Sequence, residues 1–262
     1  MKFLLIGDVV ASPGRKACSA FVRPLRKEHG IDLVLANVEN LAGGFGVNPR
    51  ALNELKEAGV DVFTSGNHIW DKKEVDACWA AFPTLLRPCN YPVGAPGRGE
   101  ALVKAANGSL VGVVNVMGRV FMPVQVDDPF PAAKASVARL KSQGAGAVIV
   151  DVHAEATSEK VALWRHLDGQ ASVVVGTHTH VPTADARLSA RGTAYLSDLG
   201  LTGGYAGVIG MQSESVLRKF LLSLPARHSP EEREIEFWAL LVETDAQGKA
   251  LSVKQIGKKL EA

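Results

Sequence analysis

Two histidines separated by one residue follow a short apolar run in the second half of the chain. Residues 171–175 are mostly β-branched and carry no charge, which predicts a buried strand, and Gly176 ends the run before His178 and His180. Alternate side chains of an extended segment share one face, so both imidazoles are expected to point into the same space. Taken alone, the pair is equally compatible with two histidines in a surface loop.

Polar side chains of the same kind follow four other predicted strands. The strands cover residues 3–6, 32–38, 60–64 and 147–150, and the polar residues are Asp8, Glu39, Asn40, Asn67, His68, Asp151 and His153. Carboxylates, carboxamides and imidazoles are the ligands that bind manganese, iron and zinc. Because parallel strands end at a common edge of a sheet, we expect the five strand ends to meet and to hold metal ions there.

Most of these residues have a simpler interpretation when they are considered alone. Asp8 could cap a turn, and Asn40 and Asn67 could serve turns because asparagine tolerates left-handed backbone. His153 could be a hydrogen-bonded histidine of the core. Glu39 is different, because an unpaired carboxylate at a buried strand end is very costly. The recurrence of such residues at successive strand ends favours the metal site.

Composition narrows the class of protein. The chain has 262 residues, 47% of them hydrophobic and 21% charged, which is typical of a soluble globular protein, and we expect one domain over residues 1–262. The formal net charge is only +2, so a partner of duplex nucleic acid is not expected. No apolar run reaches the ~20 residues that span a bilayer. Three scattered cysteines indicate reduced thiols and a cytoplasmic location.

Apolar runs alternate with helical patterns along most of the chain, which predicts a mainly parallel sheet covered by helices. Predicted helices cover residues 15–29, 49–58, 72–80, 132–143, 156–167 and 213–222, and residues 121–131 are predicted to be a loop. Asn107-Gly108 predicts a hairpin between strands at 101–106 and 110–116. A strand or hairpin is expected at 185–195, with further strands at 234–243 and 250–256.

The order of these motifs resembles the calcineurin-like binuclear metallophosphoesterases, and within them the YmdB-like branch. The matching blocks are Gly7-Asp8-Val9-Val10, Asn37-Val38-Glu39-Asn40, Ser65-Gly66-Asn67-His68, Asp151-Val152-His153-Ala154-Glu155 and Gly176-Thr177-His178-Thr179-His180. Most of the superfamily has histidine at the position of Val10 and aspartate at that of Glu39, and the YmdB-like branch shares both departures. The resemblance implies an α/β/β/α sandwich with a mixed, largely parallel sheet core.

The resemblance also implies roles for the residues at the strand ends. Asp8, Glu39 and His180, with Asn40, would hold one metal ion. Asn67, His153 and His178 would hold a second ion, with Glu39 bridging the two. Iron or manganese is expected, and zinc also accepts this ligand set. A hydroxide between the ions would attack phosphorus in line, and His68 would protonate the leaving group as general acid.

Contacts to the substrate remain open at this level. The glycine-rich loop 41–46 could contact phosphate through its amides or act as a mobile lid. Tyr205 could stack on a base, and Arg119 could pair with a phosphate oxygen or face solvent. Asp71 could orient His68, but Asp71-Lys72-Lys73-Glu74 also fits a capping box for the next helix, which we favour.

The function that the resemblance implies is hydrolysis of a small-molecule phosphodiester, notably a 2′,3′-cyclic nucleotide. One alternative is a phosphomonoesterase or nucleotidase of the same superfamily. Another is a regulatory metal-binding protein in which catalysis is vestigial. Trp70 and Trp79 are compatible either with a homo-oligomer interface or with core packing.

Overall fold

Two six-stranded sheets form the centre of the fold in the computed structural model, which describes residues 1–261. The first half contains β1 (Lys2–Val9), α1 (Ala11–His29), β2 (Leu33–Asn37), α2 (Pro49–Ala58), β3 (Val62–Thr64), α3 (Val75–Ala81), β4 (Glu100–Lys104) and β5 (Leu110–Met117). The second half contains α4 (Pro129–Ser142), β6 (Ala147–His153), α5 (Thr157–Leu167), β7 (Val173–Thr177), β8 (Arg187–Leu188), β9 (Ala194–Leu196), β10 (Leu201–Gly204), α6 (Ser213–Leu222), β11 (Ile235–Thr244) and β12 (Ala250–Lys259).

Both sheets mix parallel and antiparallel pairs. The first has the order β12-β11-β10-β1-β2-β3, and β1 is parallel to β2 and to β10. The second has the order β4-β5-β6-β7-β9-β8, and its central strands β5, β6, β7 and β9 are parallel neighbours. The parallel strands at the centre of each sheet therefore carry their carboxyl ends, and the polar residues there, to the same edge.

The alternation of side chains along the strands produces four layers. In β1, Leu4 and Ile6 pack towards α1 and α2, whereas Phe3 and Leu5 pack between the sheets. In β6, Ile149 joins this inter-sheet core and Val150 packs against α4 and α5. The layer order is helix, sheet, sheet, helix, which confirms the predicted sandwich.

Three details differ from the expectations drawn from sequence. The five strand ends come from two facing sheets and not from one. Helix α4 begins at Pro129, inside the predicted loop. The Asp128 side chain caps it by accepting a hydrogen bond from the amide of Phe130, and proline suits the first helical turn. Strand β10 was not predicted, since its glycine-rich sequence has low strand propensity. No helix within residues 1–261 is long and apolar enough to cross a membrane.

Candidate metal centre

The carboxyl ends of five strands bring all eight candidate residues to one place. The first sheet supplies Asp8 from the end of β1, Glu39 and Asn40 after β2, and Asn67 and His68 after β3. The second sheet supplies His153 from β6, and His178 and His180 after β7. The sheets face one another, so these residues line the two sides of a cleft.

His153 lies at the centre of one group of donor atoms. Its Nε2 is 3.1 Å from Glu39 Oε1, 3.2 Å from Asn67 Oδ1 and 3.1 Å from His178 Nδ1. Glu39, His153 and His178 each direct a ligand atom to within 4.8 Å of the others. Four donors on different strands converge in a pattern that one cation would satisfy.

Asp8, Asn40 and His180 form a neighbouring group. His180 Nε2 is 3.0 Å from Asn40 Nδ2 and 3.9 Å from Asp8 Oδ1. The amide of His178 donates to Asp8 Oδ2 at 3.1 Å, but the buried Oδ1 has no hydrogen-bond partner within residues 1–261. A buried carboxylate oxygen without a donor is costly unless a cation binds it.

Each of the three histidines has an acceptor behind one ring nitrogen, which leaves the other nitrogen facing the cluster. His180 Nδ1 is 2.9 Å from the carbonyl oxygen of Ile209, and His178 Nε2 is 3.2 Å from Glu155 Oε2. His153 Nδ1 is 3.0 Å from Thr177 Oγ1, and that hydroxyl donates to Asp151 Oδ1 at 2.8 Å. Partners of this kind fix the tautomer of histidines that bind metals.

The backbone around the cluster requires particular residues. A Cβ at Gly66 would overlap the His153 ring and the Glu39 carboxylate, so only glycine fits between the two groups. His178 and His180 have φ values of 100° and 65°, so they form a left-handed bend and not the extended segment that we predicted from their spacing. The imidazoles still reach the same cluster, His178 beside His153 and His180 beside Asn40.

A buried ion pair holds this strained bend. The amide and hydroxyl of Thr179 both donate to Asp198 Oδ2, at 3.1 and 2.8 Å. Lys160 Nζ is 2.8 Å from the same oxygen, and both charged side chains are only 2% exposed. The network therefore ties the residue between the two histidines to α5 and to the loop after β9.

The electrostatics of the protein without cations reflect the crowding of charge. Burial alone lowers the pKa of His153, but the carboxylates around it, Glu39 above all, raise it to about 9. Burial alone raises the pKa of Glu39, and His153 overcomes this and lowers it to about 2. Burial raises the pKa of Asp8 to about 6 and lowers that of His178, beside His153, to about 3. In the protein without cations, a proton on His153 therefore offsets part of the negative charge of the carboxylates, as a bound cation would.

His68 stands beside the cluster and not in it. Its amide donates to Glu39 Oε2 at 2.8 Å, its ring Nδ1 is 2.7 Å from Asp71 Oδ2, and its ring packs against Phe45 with centroids 4.9 Å apart. The predicted capping box is wrong, because α3 begins only at Val75 and the Asp71 carboxylate holds His68 instead.

A cavity of about 450 Å³ opens beside the cluster. Glu39, His68, His178 and His180 form its polar side. Its apolar side comes from the glycine-rich loop, the 208–211 turn and α6, through Phe45, Val208, Ile209, Met211, Val216 and Phe220. The cavity is large enough for a small organic ligand with a polar end against the cluster.

Two residues predicted as possible substrate contacts lie elsewhere. The Tyr205 hydroxyl donates to the carbonyl of Leu201 at 3.0 Å, and the Arg119 guanidinium bonds Asp128 at 3.3 Å. Sequence reasoning assigned no role to Glu155 or to the pair Lys160–Asp198. Glu155 ends one of the matching motif blocks, which is a usable signal, but nothing in the sequence marks Lys160 as buried.

The donor set fits two cations. Among residues 1–261 it contains an unpartnered buried carboxylate oxygen on Asp8, and two ring nitrogens, His153 Nε2 and His178 Nδ1, lie only 3.1 Å apart. Nitrogen and carboxylate donors in this mixture suit manganese, iron or zinc. Bound cations would give the Asp8 oxygen a partner and would lie between the closely spaced ring nitrogens.

Comparison with known proteins agrees with this geometry. The YmdB-like protein family matches residues 4–256. The 2′,3′-cyclic-nucleotide 2′-phosphodiesterase of Bacillus subtilis (strain 168) is 42% identical over 257 residues, which cover 98% of this chain and 96% of the relative.

Two solved structures superimpose closely. A hypothetical protein from Thermus thermophilus has a TM-score of 0.92 and 41% identity, with 99% of both chains covered. A novel phosphatase from Mycoplasma pneumoniae also has a TM-score of 0.92, at 31% identity, with 99% of this chain and 93% of that one covered. The resemblance inferred from the motifs is confirmed: the chain is a phosphoesterase that belongs to the YmdB-like protein family.

Proposed function

We propose that this phosphoesterase is a metal-dependent phosphodiesterase whose substrates are small phosphodiesters, in particular 2′,3′-cyclic nucleotides. The observation that carries the proposal is the cluster of Glu39, His153 and His178, beside a cavity that also contains His68. The B. subtilis relative, which shares 42% of its residues, is named for this reaction.

The two donor groups provide a place for each ion. Asp8, Asn40 and His180 would hold one, Asn67, His153 and His178 the other, and Glu39 would contact both. When bound, the cations supply Lewis acidity, which lowers the pKa of water and neutralises charge on phosphoryl oxygens. The protein itself contributes oriented ligands, since each histidine is fixed through its second ring nitrogen.

His68 is the proposed general acid. Asp71 accepts a hydrogen bond from Nδ1, so the ring is fixed with Nε2 free to face a leaving oxygen in the cavity. From the doubly protonated ring, transfer of the Nε2 proton to the departing alkoxide would complete cleavage of the P–O bond and leave neutral His68 with its Nδ1–H on Asp71. Phe45 covers one face of the ring and limits its movement.

The cavity supports a nucleotide as the substrate. Phe45, Met211 and Phe220 give the same cavity apolar and aromatic surface, which suits a nucleobase attached to a phosphate at the cluster. The formal net charge of +2 also favours a small ligand over a duplex, whose partners are normally basic.

A phosphomonoesterase is the second candidate, because the M. pneumoniae structure with TM-score 0.92 is described as a phosphatase. The test compares kcat/KM for 2′,3′-cyclic AMP with that for 2′-AMP and 3′-AMP, using Mn²⁺-loaded protein. Our proposal predicts much faster hydrolysis of the cyclic diester. Faster release of phosphate from the monoesters would establish the phosphatase instead.

A further inference from the structure

A second groove adjoins the catalytic cavity at Phe45. It has a volume of about 610 Å³ and is lined by the glycine-rich loop, by Lys72, and by Arg227 and His228 from the segment after α6. Phe45 and His228 line both the groove and the catalytic cavity. The two spaces are therefore neighbours separated by about one side chain.

The groove has a positive charge. Its lining includes Lys72, Arg227 and the imidazole of His228, and no carboxylate. Within residues 1–261, neither Lys72 nor Arg227 forms a salt bridge with an acidic side chain. The Lys72 stem packs against Gly46, where a Cβ would meet its Cγ, so its position beside the loop is constrained.

The glycine-rich loop, which lines the groove through Gly43 and Phe45, has hydrogen-bond donors that are unpaired in the part of the chain that the structure describes. The amide of Ala42 donates to the carbonyl of Gly46 at 2.9 Å and closes the loop. The amides of Gly43, Gly44 and Phe45 have no acceptor within residues 1–261. Free backbone N–H groups beside two unpaired cations are the usual components of a phosphate site in proteins.

We infer that this groove binds a second phosphate of the substrate, and that the preferred substrates carry a phosphate in addition to the one that is hydrolysed. The inference rests on the proposed phosphodiesterase activity. Its substrate class is 2′,3′-cyclic phosphates that carry a further phosphate on the 5′ oxygen. That phosphate is either a terminal 5′-phosphate or the linkage to a preceding nucleotide.

The experiment compares kcat/KM for three substrates of the Mn²⁺-loaded protein at low salt. They are adenosine 2′,3′-cyclic phosphate, the same compound with a 5′-phosphate, and a diadenosine that ends in a 2′,3′-cyclic phosphate. Either substrate with two phosphates should exceed the plain one in kcat/KM by about tenfold or more, the gain typical of charge-assisted contacts to phosphate. The better of the two identifies the source of the second phosphate.

Variants connect the preference with the groove. In the double variant Lys72→Met/Arg227→Met, the ratio of kcat/KM for a substrate with two phosphates to kcat/KM for the plain substrate should fall towards one. The matched control Lys73→Met/Arg218→Met removes two exposed cations that line neither space and should retain the wild-type ratio. Equal kcat/KM for all three substrates in the wild type, or an unchanged ratio in the groove variant, overturns the inference. Absence of turnover on every substrate would instead count against the phosphodiesterase itself.

Discussion

At the scale of single residues, the direction of the free ring nitrogen separates three of the histidines from the fourth. His153, His178 and His180 each have a hydrogen-bond acceptor behind one nitrogen, and the other faces the cluster. His68 is also fixed through one nitrogen, by Asp71, but its ring lies outside the donor groups. We therefore expect the first three histidines to bind metal ions and His68 to transfer a proton.

Replacing His68 tests this distinction. His68→Ala should lower kcat on a diester by about 10²- to 10⁴-fold, the usual contribution of a general acid, while the number of bound metal ions stays the same. Steady-state kinetics and elemental analysis of the same sample provide both quantities. His166→Ala, which removes an exposed imidazole on α5, is the control. Equal activity in the His68 variant would refute its role.

The hydroxyl of Thr177 is expected to act on the metal through His153. Thr177→Val breaks the chain from His153 to Asp151, so Mn²⁺ affinity should fall by about 10- to 100-fold. Thr64→Val is the matched control, because Thr64 also donates to Asp151 but does not touch His153. Titration calorimetry measures the Mn²⁺ affinity of both variants. A similar loss of affinity in the two would show that the hydrogen bonds to Asp151, and not the contact of Thr177 with His153, set the affinity.

Sequence alone identified the eight candidate residues but not these supporting partners. The candidates, and Asp151 with them, follow apolar runs, which is a local pattern, whereas the contacts of Thr177 with Asp151 and His153 are recognisable only once β6 and β7 are paired in register. Asp71 was misjudged for the same reason. The spacing of Asp71 and Glu74 suited a helix cap, whereas the contact between Asp71 and His68 depends on the tertiary structure.

At the scale of elements, the bend after β7 depends on a partner far away in sequence. Residues with positive φ such as His178 and His180 are strained, and such strain persists only when the surroundings hold it. Here Asp198 holds Thr179 through two hydrogen bonds, and Lys160 neutralises Asp198. The spacing of the histidines predicted convergence correctly, but through an extended strand that does not exist.

Breaking the ion pair should therefore cost stability. Lys160→Met leaves Asp198 buried without its cation, and we expect the free energy of unfolding to fall by about 3–5 kcal/mol. The double variant Lys160→Met/Asp198→Asn, which removes both charges, should recover much of this loss. Urea denaturation measures all three proteins. A loss below about 1 kcal/mol in the single variant would mean that water reaches Asp198.

At the scale of the whole molecule, the candidate metal centre forms only when the two sheets pack face to face. The alternation of strands and helices, and the hairpin at Asn107-Gly108, were predictable from periodicity and turn chemistry, and both are confirmed. The division of the strands between two sheets was not predictable in the same way, because buried parallel strands are apolar on both faces. The family resemblance supplied that step.

Docking places His153 of one sheet against Glu39 of the other, which makes stability depend on pH. Although burial lowers the pKa of His153, Glu39 raises it to about 9, above its ordinary value. The stabilisation from this pairing is complete below the unfolded pKa and disappears as the pH rises through about 9. The Tm of the metal-free protein should therefore fall between about pH 7 and pH 10.

Mn²⁺ should have the opposite dependence. Binding requires neutral His153, so the increase in Tm caused by Mn²⁺ should grow over the same range. Differential scanning fluorimetry with and without Mn²⁺ measures both trends, and His153→Asn, which lacks the titrating ring, is the control. The same slope in that variant would assign the pH dependence to other groups.

The most direct test of the central claim is hydrolysis of bis-p-nitrophenyl phosphate by the purified protein, stripped of metal and then supplied with Mn²⁺. Asn67→Ala, which removes a donor beside His153 but leaves His68 in place, is assayed in parallel. We predict no turnover by the stripped protein, recovery with Mn²⁺, and little recovery in the variant. Metal-loaded protein that hydrolyses neither this diester nor p-nitrophenyl phosphate would contradict the account and leave a metal-binding protein without the chemistry.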